Sequence, residues 1–285
     1  MKKFTQQLVL LGPGLAWLVV FLVIPLVLIL SYSFFRRGPY GGVVYEFTLK
    51  NYKQLFSPLV LRVFLTSLRI AVITTGLALL IGYPTAYAIA TAAPQWRTTL
   101  LGLVALPFWT SYLIRTYAWI VLLNREGVIN HFLMRLGIIH EPLGLLYNEF
   151  AIIIGLLYGY LPFMILPLYS SIERLNPELR EAAADLGAPP LKTFFTVTLP
   201  LTLQGVIAGS IFVFVPSLGN FVVPELLGGG RRLMIGNLIQ NRFLKARDWP
   251  SGAAMAFGVM SIVLILLLLQ AWATNRLQEG GANAE

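Results

Sequence analysis

The 285-residue sequence contains no cysteine and few charged residues. Without cysteine the chain cannot form disulfides, use a thiol nucleophile, or bind zinc or an iron–sulfur cluster through sulfur. Charged residues make up 12% of the chain, about half the fraction found in a typical soluble domain. Because 57% of the residues are hydrophobic and the mean hydropathy is +0.76, the composition excludes an ordinary soluble globule. It also excludes disorder, which requires low hydrophobicity and high charge.

The sequence contains several long runs without a charged residue. A bilayer core about 30 Å thick requires roughly 20 apolar residues of helix. The runs predict an all-α integral membrane protein, with one transmembrane domain over residues 1–285 and six transmembrane helices. The spans are expected at about 8–33, 64–92, 99–123, 150–172, 201–226 and 252–274. Prolines inside the spans predict kinked helices whose freed backbone groups are satisfied by neighbouring helices.

The two ends of the chain carry separate predictions. Lys2 and Lys3 precede the first hydrophobic run, as they would in a signal peptide. The run is longer than the apolar core of a signal peptide, about 7–15 residues, so we predict a retained span. Six spans place both termini on the same side. The polar, glycine-rich tail at 276–285 is predicted to be disordered.

The polar loop 173–200 separates the fourth and fifth spans and predicts a helix–turn–helix. Asn176 is a favoured N-cap, and Pro177 suits the first position of a helix. The alanines that follow favour a helix, and Gly187 provides a left-handed stop. The small side chains of this helix would allow another protein to approach closely.

The same loop resembles the EAA loop of ABC-importer permeases. Glu181, Ala182 and Ala183 are followed at the family's spacing by Gly187, and then by Leu199 and Pro200. One departure is Val197, where the family usually has isoleucine. In the family this loop is a coupling helix that docks on a cytoplasmic ATPase subunit. The resemblance implies an ATPase-coupling site formed by Arg180, Glu181, Ala182, Ala183, Asp185 and Gly187.

The resemblance extends along most of the chain and is strongest to the spermidine/putrescine permeases. It is carried by residues 47–52, 106–115, 161–173, 223–228, 234–237 and 247–250. It implies a type I ABC importer permease bundle in the bacterial inner membrane that forms the translocation path for polyamines. The implied partners are a periplasmic solute-binding protein, a second, non-identical permease subunit and an ABC ATPase dimer that holds ATP and Mg²⁺. No cofactor, enzyme activity or nucleic-acid binding is implied for this chain.

The orientation implied by the loop conflicts with the distribution of charge. The EAA loop must face the cytoplasm, because ATP is there, and this places both termini in the cytoplasm. Lys and Arg are nevertheless more numerous on the loops that are then outside, contrary to the positive-inside rule. We follow the motif and keep the inverse topology as the alternative.

Aromatic and polar groups within the spans are the candidate substrate contacts. A polyamine is a flexible polycation, and cation–π attraction contributes roughly 0.5–2 kcal/mol per contact. The predicted substrate path consists of Trp109, Tyr112, Tyr117, Tyr160, Asn220 and Glu225. The alternative for each aromatic residue is ordinary packing or anchoring at the membrane interface. Arg69 and Arg115 either extend to the interface or favour a different substrate, an anion or a metal complex. Another small cationic solute is a further alternative for the same class of permease.

The glycine-rich loop 228–250 carries part of the basic excess on the outer face. Arg231 and Arg232 are predicted to dock the binding protein, since complementary charge accelerates association. Two other functional classes are weaker alternatives. An intramembrane enzyme would need a catalytic or metal-binding group, but the two histidines, His131 and His140, lie in a loop, and neither catalytic nor metal-ligating residues are predicted. A secondary transporter would be expected to carry ionisable residues at mid-bilayer.

Overall fold

The computed structural model describes residues 12–230 and 232–282, with side chains described as far as residue 268. The chain divides into two compact units. One comprises residues 1–62 and 238–285, and the other comprises residues 63–237. The described part of the chain is mostly helical, in agreement with the predicted class. Its strands are confined to a short antiparallel hairpin, in which β1 (Arg36–Arg37) pairs with β2 (Val43–Val44).

Helices α1 to α7 occupy the first two-thirds of the chain and α8 to α13 the remainder. The first group comprises α1 (Gly12–Ser33), α2 (Lys50–Leu55), α3 (Pro58–Thr91), α4 (Pro94–Ala105), α5 (Tyr112–Leu123), α6 (Val128–Arg135) and α7 (Glu149–Glu173). The second group comprises α8 (Glu178–Asp185), α9 (Pro190–Leu201), α10 (Leu203–Gly219), α11 (Val222–Leu227), α12 (Ile235–Leu244) and α13 (Trp249–Ala282).

Four helices among the described residues are long and apolar enough to cross a membrane: α1, α3, α7 and the part of α13 from Trp249 to Leu268. A fifth span is added if α9 and α10 count as one span with a 69° bend. The predicted third span, 99–123, does not qualify as a single helix. A 3₁₀ turn at Leu106–Trp109 separates α4 from α5, and each of these helices is shorter than the roughly 20 residues that a bilayer requires. The six-span count therefore stays a prediction.

The unit made of both chain ends is organised around α13. Helices α1 and α2 pack against it. The hairpin is attached to the segment before α13, where Arg37 donates a hydrogen bond to the carbonyl oxygen of Ala246 at 2.7 Å and the Gly42 N–H donates to that of Arg247 at 3.1 Å. Gly41 and Gly42, with φ of 95° and 81°, supply the left-handed conformations that close the hairpin turn.

The end of α13 overlaps the tail 276–285. The backbone is helical as far as Ala282, and disorder of this tail stays a prediction. Each residue added to an existing helix forms one further backbone hydrogen bond, and the first residues after the apolar run, Asn275 to Glu279, include good helix formers. The last three residues lie outside the described part, as do residues 1–11 with the start of the predicted first span.

The core of residues 63–237 lies where α3, α7 and α10 pack together. Glycines on α10 allow close approach to α7. A Cβ atom added at Gly205 would lie 2.9 Å from the carbonyl oxygen of Pro167, and one at Gly209 would lie 2.7 Å from the sulfur of Met164. A second core cluster joins α3, α5, α7 and α11 around Ile152. This unit contains every candidate site residue that the structure describes.

The bend between α9 and α10 falls at Thr202, whose φ of −99° and ψ of 8° depart from helical values. Two local causes precede it. Residues Phe194–Thr198 form a π-helical turn, and Pro200 has no N–H to donate to the helix. Sharp kinks are typical of both features. The Leu199–Pro200 end of the EAA-like motif therefore lies immediately before this bend.

Candidate functional site

The predicted coupling loop contains the short helix α8, which is capped much as its sequence indicates. The Asn176 side chain accepts a hydrogen bond from the Glu178 N–H at 3.1 Å. The N-cap position falls on Pro177, one residue after the Asn176 that the sequence predicts. Glu178 and Glu181 lie in the first turn, where the helix dipole favours negative charge. Gly187 has φ of 77° and ends the helix in the left-handed conformation.

Most of the predicted ATPase-coupling residues form an exposed surface on α8. Glu181, Ala182, Asp185 and Gly187 are exposed, and Ala183 is half-buried. Leu186 lies between Asp185 and Gly187 and is 88% exposed, although sequence reasoning did not select it. An apolar side chain displayed beside a glycine is suited to enter a groove on another protein. Its only signal in the sequence is its place inside the motif.

Arg180 differs from its neighbours because it faces the chain itself. Its Nη1 donates a hydrogen bond to the hydroxyl oxygen of Tyr87 on α3 at 3.0 Å. Its guanidinium carbon also lies 5.8 Å from the centroid of the Tyr87 ring, within the range of cation–π attraction. The predicted contact of Arg180 with an ATPase stays a prediction.

Three of the six predicted path residues form one polar cluster. Asn220 Nδ2 donates to the hydroxyl oxygens of Tyr112 and Tyr160, each at 2.7 Å. Asn220 Oδ1 accepts from the Val223 N–H at 2.9 Å. Asn220 follows the last residue of α10 and is buried. The cluster therefore joins α5, α7 and the break between α10 and α11 through one amide side chain.

Arg115 lies beside this cluster without an acidic partner among the described residues. Its guanidinium carbon is 5.7 Å from the centroid of the Tyr112 ring and 5.8 Å from that of Phe108. Its Nε and Nη1 atoms are buried and make no hydrogen bond within the described chain. Two aromatic rings thus replace the carboxylate that a buried guanidinium ordinarily pairs with.

The other three predicted path residues are Trp109, Tyr117 and Glu225. Trp109, at the end of the 3₁₀ turn, is 86% exposed, and Tyr117 is 56% exposed. Glu225 on α11 accepts a hydrogen bond from Asn237 Nδ2 at 3.3 Å. The sequence shows the chemical type of each of the six side chains. Only the fold shows that Tyr112, Tyr160 and Asn220 are hydrogen-bonded to one another.

A separate ion cluster forms around Glu149 at the start of α7. Its carboxylate pairs with Arg69 of α3 through one oxygen and with Arg232 through the other, the latter at 3.6 Å. Arg232, one of the two predicted docking residues, is thus already engaged within the chain. The other, Arg231, lies outside the described residues. Among the residues that the structure describes, no group of His, Asp and Glu side chains has an arrangement suited to a metal ion.

Helices long and apolar enough to cross a membrane, together with a short, exposed motif helix before a bent helix pair, are what the permease class of transport proteins leads us to expect. Residues 82–279 match the family described as "binding-protein-dependent transport system inner membrane component", and the chain belongs to this family. It is therefore a multi-pass inner-membrane protein, and the family resemblance inferred from its motifs is confirmed.

Relatives and solved structures agree with this assignment. The chain is 45% identical over 262 residues to the spermidine/putrescine transport system permease protein PotB of Haemophilus influenzae, covering 92% of this chain and 91% of PotB. A bacterial ABC transporter involved in the import of the acidic polysaccharide alginate shares the fold with a TM-score of 0.70 at 20% identity, covering 96% and 98% of the two chains. A bacterial alginate ABC transporter in complex with a periplasmic protein bound to alginate pentasaccharide has a TM-score of 0.69 at 20% identity, covering 94% of each chain.

Proposed function

We propose that this chain is the permease subunit of an ABC importer and forms the translocation path for spermidine and putrescine. The observation that carries the proposal is the 45% identity to PotB over 92% of the chain. The Tyr112–Tyr160–Asn220 cluster supports it, because phenol rings and hydroxyl oxygens attract ammonium groups without the tight hold of a buried carboxylate. A path must release its substrate as well as bind it.

The proposed topology has six spans in a single permease domain, with both termini cytoplasmic. Helices α4 and α5 together make the third span, across the 3₁₀ turn between them. The bent pair α9 and α10 provides the fifth. Irregular backbone is tolerated at membrane depth where it is covered by protein or lines a polar path. The fold shared with ABC importers supports this arrangement.

In the proposed assembly, α8 is the coupling helix. It docks on a cytoplasmic ATPase dimer, which carries ATP and Mg²⁺, while a second, non-identical permease subunit completes the path in the bilayer. A periplasmic solute-binding protein delivers the substrate. The exposed surface of Glu181, Ala182, Asp185 and Leu186 supports the docking role, and the family description supports the binding protein.

A second candidate substrate class is an anion. The observation that favours it is Arg115, whose buried Nε and Nη1 atoms lack partners in the described chain and lie beside the polar cluster. An anion could satisfy these donors. The relation to PotB outweighs this single group, so polyamines remain the primary proposal.

Transport assays distinguish the two substrate classes. The chain, assembled with its ATPase, second permease and binding protein in proteoliposomes, is expected to accumulate labelled spermidine in an ATP-dependent and saturable manner, with putrescine competing. The matched assay uses molybdate and an oligosaccharide acid as substrates. ATP-dependent uptake of an anion without uptake of spermidine would refute the polyamine assignment.

The coupling assignment is tested by charge reversal on α8. We expect Glu181→Lys to abolish co-purification of the ATPase, because it places a cation in the proposed docking surface, while membrane insertion is retained. Glu178→Lys, at an exposed acid one turn earlier on the same helix, is the control for a general change in charge. Normal co-purification with Glu181→Lys would contradict the docking role.

A further inference from the structure

Two tyrosines one turn apart on α3 contact two different elements, the helix α8 and the bend between α9 and α10. Tyr87 accepts the hydrogen bond of Arg180, on the coupling helix α8, at 3.0 Å. Tyr83 bonds Thr202, at the bend between α9 and α10, at 2.7 Å. Residues four apart on a helix lie on the same face. One face of α3 is therefore bonded both to α8 and to the bend between α9 and α10.

The bond at the bend is buried and has a defined direction. Thr202 is fully buried, and its hydroxyl donates to the carbonyl oxygen of Thr198 at 2.8 Å. A threonine hydroxyl has one proton, so Tyr83 is the donor in the Tyr83–Thr202 bond. The ring of Tyr83 also packs edge-on against Phe194 of α9, with the centroids 5.2 Å apart. Tyr83 thus contacts both the bend and the helix that enters it.

The coupling helix stands over an open cavity at this position. A volume of about 440 Å³ is lined by residues from α3, α8 and α9, among them Tyr87, Arg180, Glu181, Phe194 and Thr198. Space of this kind gives α8 room to shift relative to α3. The Arg180–Tyr87 hydrogen bond spans from α8 to α3 at the wall of this cavity.

Helix α3 has a proline between its two contacts. Pro84 lies inside the helix, immediately after Tyr83, and cannot donate a backbone hydrogen bond to the carbonyl oxygen of Leu80. The helix is therefore easier to bend just before Tyr83, while the turn from Tyr83 to Tyr87 can move as one piece. Coupling between two sites needs such a contiguous set of contacts with more than one arrangement.

We propose that Tyr83 and Tyr87 are positioning residues that pass a displacement of the coupling helix to the bend at Thr202. This inference rests on the proposed docking of an ATPase on α8. When the ATPase moves α8, Arg180 displaces Tyr87, the helical turn from Tyr87 to Tyr83 carries the displacement, and Tyr83 changes the angle between α9 and α10. In this relay both tyrosines act through Arg180 and Thr202 and need no contact with the substrate or the ATPase.

The test measures substrate transported per ATP hydrolysed by the complete transporter in proteoliposomes. Tyr87→Phe and Tyr83→Phe keep the rings and delete only the hydroxyls. Each is expected to lower the ratio of uptake to hydrolysis about fivefold, the change in an equilibrium that follows from loss of one hydrogen bond with a net contribution of about 1 kcal/mol. The double variant is expected to lower the ratio no further than the more severe single variant, because serial links of one relay are not additive.

Tyr169→Phe is the matched control. Its hydroxyl bonds Glu173 within α7, so it removes a tyrosine hydroxyl bond from the same core cluster without touching α8 or Thr202. Thr202→Val removes the acceptor of the Tyr83 bond and provides a second variant if Tyr83→Phe does not assemble. An unchanged ratio in the Tyr83, Tyr87 and Thr202 variants, an equal loss in Tyr169→Phe, or additive losses in the double variant would each overturn the relay.

The outcome is separable from failure of the proposed function. If the ATPase does not co-purify with the unaltered chain, the proposed coupling itself is refuted. If it co-purifies and drives uptake, while the tyrosine variants transport as much substrate per ATP as the unaltered chain, the relay alone is refuted.

Discussion

Asn220 is the residue that connects the polar cluster, because its side chain takes part in three hydrogen bonds. Its two amide protons go to Tyr112 and Tyr160, and its oxygen accepts the Val223 N–H. A buried amide with both ends in use holds three helices in one arrangement. It also marks the end of α10, where the backbone turns to extended values. Asn220 therefore both ends α10 and fixes the positions of the two phenol groups.

Replacing this amide should affect stability and transport together. We expect Asn220→Leu to lower the free energy of unfolding by about 1–3 kcal/mol, since two phenol oxygens and one buried N–H lose their partner, and to reduce spermidine uptake. Tyr160→Phe removes one of the three bonds and should have a smaller effect. Thermal unfolding in detergent and uptake in proteoliposomes measure the two quantities. Equal stability of Asn220→Leu and the unaltered chain would contradict the structural role.

Several residue roles could be recognised from the sequence, and others could not. Gly187 was identifiable because a helix stop has a local signature, and the structure has it in the left-handed conformation. The partner of Arg180 was not identifiable, because Tyr87 is 93 positions away. The same applies to the Tyr112–Tyr160–Asn220 grouping. Chemical type selects candidates, whereas proximity depends on how distant helices pack.

At the scale of elements, the contact between α7 and α10 depends on residues without side chains. A Cβ atom at Gly205 would lie 2.5 Å from Ser171 Cβ, too close for van der Waals contact. Small residues at helix interfaces allow close backbone approach in membranes, where lipid removes the hydrophobic drive for association. Close van der Waals packing at these glycines therefore stabilises the α7–α10 pair.

A bulky residue at this contact should separate the two helices. We expect Gly205→Val to destabilise the protein by about 1–3 kcal/mol through overpacking. The control is Gly76→Val on α3, where an added Cβ would meet nothing within 4 Å. Unfolding temperatures in one detergent measure the difference. Equal losses at both positions would show that the cost is one of helix propensity and would contradict the packing explanation.

Prediction of the elements succeeded where the hydrophobic pattern alone decides the structure. Helices α3 and α7 fall where uncharged runs predicted spans. The pattern did not identify the interruption at Leu106–Trp109. Pro107 was visible, but α3 and α7 also contain prolines and remain continuous helices. Whether a proline breaks a helix or is accommodated depends on the neighbours that satisfy the freed backbone groups, and sequence alone does not reveal them.

At the scale of the whole molecule, the absence of cysteine makes the orientation directly measurable. The basic loops and the coupling loop favour opposite orientations, so the question needs a labelling experiment. Glu126 and Glu178 are both exposed glutamates and belong to loops that the proposed topology places on opposite sides of the membrane. A single cysteine at either position has no background reaction in a chain that otherwise lacks thiols.

The proposed topology gives a definite labelling pattern. In spheroplasts, a membrane-impermeant maleimide is expected to modify Glu126→Cys directly and Glu178→Cys only after the membrane is permeabilised, because the reagent cannot cross the bilayer. The unaltered chain serves as the blank. Immediate labelling of Glu178→Cys with protection of Glu126→Cys would establish the inverse orientation and overturn the motif-based assignment.

The ion cluster at Glu149 has a consequence for any acidic surface that approaches Arg232. The two residues already pair at 3.6 Å, so an incoming carboxylate must compete with an acid that the fold itself tethers in place. A tethered group acts at an effective concentration on the order of millimolar or above. A solitary carboxylate in dilute solution loses that competition, whereas a cluster of acids on one rigid partner can win it. We therefore expect a cluster of acids to displace Glu149 from Arg232 more readily than a single acid does.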